Sequence, residues 1–416
     1  MTTDPCPRSA VSHGVGIAGL VGLAIWMLIA RHFEMYGPFS AITAAVAAGV
    51  PMVAWSVFVD KVHRNRTTGI DWSAPAKPLS ETIDVSLAKL AGLWATWAIL
   101  AVIYWTARFY WIGNYTFAMK AFTIAAPFLF IASIPYIIWL DRRMKNPRDG
   151  CWAFGCLLMG DKLADRSAIA DHLRSWAVKG FFTAFMLSGF PGNFFDTVQR
   201  QWPALTDPVG LANFLISVMF LIDMTLATVG YILTMKPLDA HIRSAMPYAS
   251  GWTAALICYP PFVLMGNGGP LDYHPGTMEW SYWLRNYPVL LWINGSLLVI
   301  LTGIYAWATI AFGIRFSNLT HRGILTHGPY SWMRHPAYVS KNIFWWLSTV
   351  PFLVNTNSLT DAIRNTVIMA AVSGVYYWRA MTEERHLRSD EDYRAYAAWI
   401  DRNGWFARLK RVVKAA

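Results

Sequence analysis

The stretch VLLWINGSLLVILTGIYAWATIAFGI, residues 289–314, contains no charged side chain. A membrane-spanning helix needs about 20 mostly apolar residues, so this stretch predicts one. Nine further segments are apolar enough to be candidates. The ten predicted segments are 14–31, 37–59, 83–107, 121–140, 176–195, 209–234, 248–266, 289–314, 338–354 and 366–381. We therefore predict an all-α, polytopic integral membrane protein with about ten transmembrane helices.

The fifth, seventh and ninth of these segments are less regular than the others. The fifth contains Pro191, the seventh contains Pro260 and Pro261, and the ninth begins beside Lys341. A proline removes a backbone donor and kinks a helix. These three segments are the ones we expect to be broken or re-entrant if they do not span.

The overall composition supports a membrane location. The 416 residues are 55% hydrophobic and 14% charged, whereas soluble proteins carry about 25% charged residues. The chain has 22 Trp and 18 Tyr residues, which are typical of the membrane–water interface. The net charge of +11 does not indicate nucleic-acid binding, because the basic residues lie between apolar segments and not on the face of a soluble fold.

The distribution of basic residues predicts the orientation. With the N-terminus inside, the inside segments hold 26 Lys and Arg residues and the outside loops hold 6. This positive-inside bias predicts that both termini are cytoplasmic, together with the loop 141–175. In a prokaryote the membrane would be the bacterial inner membrane.

The cysteines predict neither a disulfide framework nor a metal site. Cys6, Cys151, Cys156 and Cys258 are few and scattered. Cys151 and Cys156 are five residues apart and lack the second pair of a zinc site. We therefore expect no bound metal.

A first cluster of functional residue types is THGPYSWMRHPAY, residues 326–338. Gly328 and Pro329 indicate a turn, and Pro336 disfavours helical geometry at His335 while suiting the first turn of a helix. Such a helix start could bind an anion, with Arg334 and His335 as added donors. A basic loop that flanks the membrane is the alternative interpretation.

A second cluster is YYWRAMTEERHL, residues 376–387. On a continuing helix, Tyr376, Arg379 and Glu383 share one face. Glu383 and Glu384 would stand where the apolar helix meets water, where two adjacent carboxylates are costly without partners. An amphipathic tail with ion pairs explains the later charges well but explains the Glu pair less well.

The two clusters together resemble the isoprenylcysteine carboxyl methyltransferase and phospholipid methyltransferase superfamily. The resemblance rests on Gly-Pro-Tyr at 328–330, Arg-His-Pro-x-Tyr at 334–338, Glu-Glu-x-x-Leu at 383–387 and Tyr-x-x-Tyr at 393–396. It is clear over about 285–416, and a weaker resemblance extends back to about 210. The chain accordingly divides into an N-terminal transmembrane extension of unknown role, 1–208, and a methyltransferase-like helical core with a cytoplasmic tail, 209–416.

The resemblance implies S-adenosylmethionine as the cofactor and assigns residues to its site. The implied cofactor-binding residues are Tyr330, Arg334, His335, Pro336, Tyr338, Glu383, Glu384 and Leu387, and the candidate catalytic residues are Arg402, Glu384 and Arg379. Arg334 and His335 could hold the cofactor carboxylate, and a glutamate the ribose or the ammonium. One departure from the family pattern is Ser340, which replaces a usual glycine and is followed by Lys341 and Asn342.

The predicted reaction is methyl transfer to a lipid or lipid-linked acceptor that enters from the bilayer at the cytoplasmic face. A prenylcysteine carboxylate, a phospholipid amine and a small thiol or quinone-like molecule all remain open as acceptors. A sterol-reductase-like enzyme using NADPH is a second hypothesis. A transporter is a third, because ten helices are predicted and the segments near Pro191 and Pro260-Pro261 are candidates for broken helices. Buried ionisable residues in the first eight segments are few, however, and an interhelical hydrogen bond explains Asp223, deep in segment 209–234, at least as well as a function does.

Overall fold

The structure is a computed structural model that describes residues 5–415, and it is mostly helical, as predicted. The helices are α1 (His13–His32), α2 (Pro38–Ala54), α3 (Leu79–Thr106), α4 (Tyr115–Asp141), α5 (Gly150–Leu158), α6 (Arg166–Gln199), α7 (Pro208–Ile232), α8 (Ala249–Leu256), α9 (Trp280–Leu284), α10 (Pro288–Phe312), α11 (Pro336–Thr349), α12 (Leu359–Leu387), α13 (Glu391–Asn403) and α14 (Trp405–Ala415). Two short strands, β1 (Ser244–Ala245) and β2 (Thr320–His321), pair antiparallel.

Six helices among the described residues are long and apolar enough to cross a membrane. They are His13–His32, Pro38–Val59, Leu79–Thr106, Tyr115–Asp141, Pro208–Ile232 and Pro288–Arg315. All six coincide with predicted segments, so a multi-pass membrane protein is confirmed. The predicted count of about ten crossings is not confirmed.

The other four predicted segments do not correspond to any of these six apolar helices. Segments 176–195 and 366–381 lie within α6 and α12, which have 34 and 29 residues. Segment 338–354 falls mainly in α11, whose 14 residues extend about 21 Å, less than the roughly 30 Å of a hydrocarbon core. These three helices are not among the six apolar spans.

The segment 248–266 is not a continuous spanning helix, and the expectation that its prolines break it is confirmed. Helix α8 has only eight residues and ends at Leu256, and the chain from there to α9 is irregular. The physical reason lies in Pro260 and Pro261, which cannot donate backbone hydrogen bonds and disfavour helical geometry in the residue before them. Irregular backbone is tolerated in a membrane protein where it is covered by other helices or lines a cavity.

The N-terminal helices share a hydrophobic core with the later ones. Buried residues of α1 and α2, including Leu23 and Ala44, belong to one cluster with Leu226 of α7 and Leu325. Small residues allow the close packing: a β-carbon at Gly22 would lie 1.9 Å from the carbonyl oxygen of Ala47 on α2. The core therefore extends across the predicted boundary at residue 208.

The segment before α1 is attached to the loop that follows β2. The Ala10 amide donates to the Ile324 carbonyl at 2.8 Å, and Ser9 Oγ lies 2.7 Å from His327 Nδ1. The Thr326 hydroxyl donates to the Pro7 carbonyl at 2.6 Å. These contacts connect the beginning of the described chain to the loop that carries the first functional cluster.

Candidate active site

A buried arginine holds the chain between α10 and α11. The Arg322 guanidinium donates to the carbonyl oxygens of Gly230 at 2.8 Å, Phe316 at 2.7 Å and Ala240 at 2.7 Å. It also reaches the carbonyls of Leu233 and Ile314. These bonds satisfy the open carbonyl groups at the end of α7 and fix the loop in front of the first cluster.

The first cluster has the local structure that its sequence predicts. A short 3-10 turn covers Gly328–Ser331, and Gly328 has a φ of +59°, a conformation that favours glycine. Helix α11 begins at Pro336, as expected. The Tyr396 hydroxyl of α13 donates to the Tyr330 carbonyl at 2.7 Å. This contact attaches the tail to the turn.

Glu384 connects the two clusters. Its Oε1 lies 2.8 Å from His335 Nε2 and its Oε2 lies 3.0 Å from Arg334 Nη1. Arg388 lies 3.3 Å from Oε2, and Arg334 also pairs with Asp401 at 3.3 Å. Burial alone would raise the pKa of the Glu384 carboxyl, but the His335 hydrogen bond and the Arg334 charge outweigh it and lower the pKa below its ordinary value.

Glu383 is engaged on the other side of α12. It accepts a hydrogen bond from the Tyr338 hydroxyl and lies 3.5 Å from Arg379 Nε, one helical turn away as predicted. Arg379 is buried and also donates to Asn318 Oδ1 at 2.6 Å. Neither glutamate is therefore left without a partner at the membrane surface.

These side chains surround a cavity of about 190 Å³. Of the predicted site residues, the cavity wall includes Tyr330, Arg334, His335, Tyr338, Arg379, Glu383 and Leu387. Glu384 stands behind this wall and holds Arg334 and His335 in place. Seven predicted site residues therefore line one cavity. They come from α11, α12 and the loop before α11.

Two predicted residues lie away from this cavity. Pro336 lines a second, mostly apolar cavity of about 480 Å³ with Leu301, Ile304, Val339 and Trp405. Arg402 is exposed on α13 and is not among the residues that line the first cavity. Helix α13 buries Tyr393, Tyr396 and Ile400, and this amphipathic pattern leaves Arg402 on the outer side.

The family comparison agrees with this geometry. Residues 296–389 match the isoprenylcysteine carboxyl methyltransferase (ICMT) family model. The resemblance predicted from the two motif clusters is confirmed over that range, which contains α11, α12 and both glutamates. No curated protein and no solved structure gives a match to the chain. The ICMT-like segment supports a membrane methyltransferase, and the first 295 residues lie outside the match.

Several residues of the cavity wall were missed by sequence reasoning. Tyr259 comes from the irregular chain after α8, Tyr305 from α10 and Asn318 from the loop before β2. Tyr259 and Asn318 both contact Arg379. The only available signal was the pair of prolines after Tyr259, which predicts a break but not what the broken segment contacts.

Buried histidines around the site predict a dependence of stability on pH. Burial lowers the pKa values of His241, His327 and His386 from 6.5 to about 4, and His386 Nε2 lies 2.9 Å from Ser244 Oγ. Between pH 6.5 and pH 4 the unfolded chain binds protons that the folded chain does not. Each such histidine then removes up to about 1.4 kcal/mol of stability per pH unit as the pH falls.

We therefore expect the thermal unfolding midpoint in detergent to be highest above pH 6.5 and to fall steadily towards pH 4. Glu384, whose pKa is lowered, adds to the loss below about pH 4.5. The His386→Gln variant should show a shallower fall than the wild type. A midpoint that stays constant or rises between pH 6.5 and pH 4 would contradict this expectation.

Proposed function

We propose that the chain is an S-adenosylmethionine-dependent membrane methyltransferase that acts on a lipid or lipid-linked acceptor at the cytoplasmic face. The observation that carries the proposal is the arrangement of Arg334, His335, Tyr338 and Glu383 around one cavity, with Glu384 behind them as the partner of Arg334 and His335. This arrangement lies inside the ICMT-like segment, so motif, family match and geometry support the same site.

The residues of the cavity fit the chemistry of the cofactor. When bound, S-adenosylmethionine supplies an electrophilic methyl group on a sulfonium ion. Aromatic faces suit a purine and a sulfonium, and the cavity wall contains Tyr330, Tyr338 and Tyr376. Glu383 and Asn318 offer oxygens for ribose hydroxyls or an ammonium group. The site therefore provides acidic, amide, cationic and aromatic groups together.

The protein residues position the reactants and exclude water. Methyl transfer is an in-line displacement that needs no covalent protein intermediate, so alignment and a dry cavity supply most of the rate increase. The Arg379 guanidinium lies 5.3 Å from the Tyr338 ring centre and 5.4 Å from that of Tyr259. These contacts fix the inner wall of the cavity against which the reacting groups are aligned.

The hydrocarbon part of the acceptor has a candidate route. The second cavity lies between α10 and α11, and its walls include Leu301, Ile304 and Ile343. Ser340 faces this apolar cavity while the next residue, Lys341, faces the first one. Helix α11 thus separates the two cavities, and a lipid chain in the second cavity would bring its head group near the end of the first.

An acceptor that is already anionic suits this site better than an amine. An amine must lose a proton to a base, but Glu383 is bonded by Tyr338 and Arg379. Glu384 is likewise bonded by Arg334 and His335. A carboxylate attacks the methyl group without losing a proton, so we propose a carboxylate acceptor similar to those of the ICMT family.

The test is calorimetric titration of the detergent-purified protein with S-adenosylhomocysteine and, separately, with NADPH. We expect saturable binding of S-adenosylhomocysteine and none of NADPH. Tyr338→Phe, which removes the donor to Glu383, should weaken binding about tenfold. The matched control is Tyr377→Phe, because Tyr377 is an exposed tyrosine of α12, the helix that carries Glu383. Binding of NADPH alone would favour a reductase over a methyltransferase.

A further inference from the structure

Lys341 extends from α11 into an aromatic part of the first cavity. Its Nζ lies 5.3 Å from the ring centre of Tyr305, 5.2 Å from that of Trp345 and 5.9 Å from that of Tyr376. These rings belong to α10, α11 and α12. The ammonium is therefore held by three aromatic faces at the meeting point of three helices of the ICMT-like segment.

Lys341 differs from Arg334 and Arg379 in having no anionic partner. Arg334 pairs with Glu384 and Arg379 with Glu383. Among the described residues 5–415, the Lys341 ammonium has no hydrogen-bond acceptor and no ion-pair partner. An ammonium has three donors, and leaving them without oxygen partners in an apolar setting is costly.

The buried carboxylate of Asp223 already has two hydrogen-bond donors. Asp223 of α7 accepts a hydrogen bond from the Tyr305 hydroxyl at 2.9 Å and a second from Thr309. The Tyr305 side chain thus contacts Asp223 through its hydroxyl and Lys341 through its ring face. Asp223 contributes a distant negative charge but leaves the ammonium donors free for a ligand.

We propose that Lys341 is the carboxylate-binding residue of this cavity. The inference rests on the proposed function for the identity of the ligands. Two sources could supply the carboxylate: the methyl acceptor, or the amino-acid part of the cofactor. Arg334 is bonded to Glu384 and Asp401, and His335 to Glu384, whereas the Lys341 ammonium can donate to either carboxylate without breaking a protein contact.

The experiment compares wild type with Lys341→Met and Lys341→Arg by calorimetric titration in detergent at pH 8. S-adenosylhomocysteine and 5′-methylthioadenosine form one pair of probes, because the second lacks the amino-acid carboxylate. Myristate and myristyl alcohol form the acceptor-like pair. Lys162→Met is the matched control, because Lys162 is exposed in the turn between α5 and α6. Thermal unfolding of each variant accompanies the titrations, and Lys341→Gln replaces Lys341→Met if the latter does not fold.

We expect Lys341→Met to weaken one carboxylate probe at least tenfold, to leave its uncharged counterpart within twofold, and to be largely restored by Lys341→Arg. A loss confined to S-adenosylhomocysteine assigns the site to the cofactor, and a loss confined to myristate assigns it to the acceptor. Unchanged affinity for both carboxylates, no binding of either by the wild type, or equal losses for charged and uncharged probes would overturn the inference. Myristate binding that depends on Lys341 without any S-adenosylhomocysteine binding would refute the proposed function alone.

Discussion

Glu384→Ala is expected to reduce the affinity for S-adenosylhomocysteine at least 100-fold and to prevent methyl transfer. The Glu384 carboxylate is buried and connects α12 to His335 and Arg334. Without it, these two donors lose their shared partner, and breaking a buried ion pair from one side costs about 3 kcal/mol or more. That cost corresponds to roughly 100-fold in affinity if it falls on the cofactor site.

The measurement is the same calorimetric titration, with Glu391→Ala as control. Glu391 is an exposed acidic residue of α13 whose side chain pairs with Arg394 at 3.5 Å, so its loss should leave the affinity unchanged. Glu384→Gln keeps the shape of the side chain but not its charge. Its affinity for S-adenosylhomocysteine should therefore lie between those of Glu384→Ala and Glu391→Ala. Wild-type affinity in a folded Glu384→Ala protein would show that the contact between the two clusters is not needed for cofactor binding.

Arg322→Met is expected to cause the largest loss of stability. The guanidinium bonds backbone carbonyls at the end of α7, in the loop after it and in the chain after α10. Its removal leaves several buried carbonyl groups without donors, each costing about 1–3 kcal/mol. Arg322→Lys should be nearly as damaging, because an ammonium cannot reproduce the planar fork of donors.

The unfolding midpoint in detergent, followed by size-exclusion chromatography after heating, provides the measurement. We expect both Arg322 variants to lose the folded peak several degrees below the wild type. Arg394→Met is the control, because Arg394 is half exposed and pairs with an exposed glutamate. Wild-type stability in Arg322→Met would mean that water satisfies those carbonyl groups and that the loop does not depend on the arginine.

The sequence predicted those features of the site that depend on local spacing. The helix start at Pro336 follows from proline chemistry, and the contact between Arg379 and Glu383 follows from their separation of four residues. The need of Glu384 for partners was also predictable, although its main partners are Arg334 and His335. The interhelical hydrogen bonds of Asp223 confirm one of the two interpretations of that residue.

Features that depend on distant parts of the chain could not be predicted. The partners of Arg322 are backbone carbonyls, which every residue carries, so no pattern of residue types predicts them. Pro260 and Pro261 predict a break in segment 248–266, but they do not predict that the helix already ends at Leu256 or which residues the irregular chain contacts. The position of Arg402 depends on how α13 folds back onto the turn, which its own spacing does not determine.

The contact between the N-terminal segment and the loop after β2 also restricts how many times the chain between them can cross the membrane. Ser9 and His327 are in direct contact, so the chain before α1 and the chain after α10 lie on the same side of the bilayer. An even number of crossings must therefore separate them, and the six candidate spans, which all lie between them, are an even number. If all six cross, helix α6 and the irregular chain around Pro260 must cross as a pair or not at all.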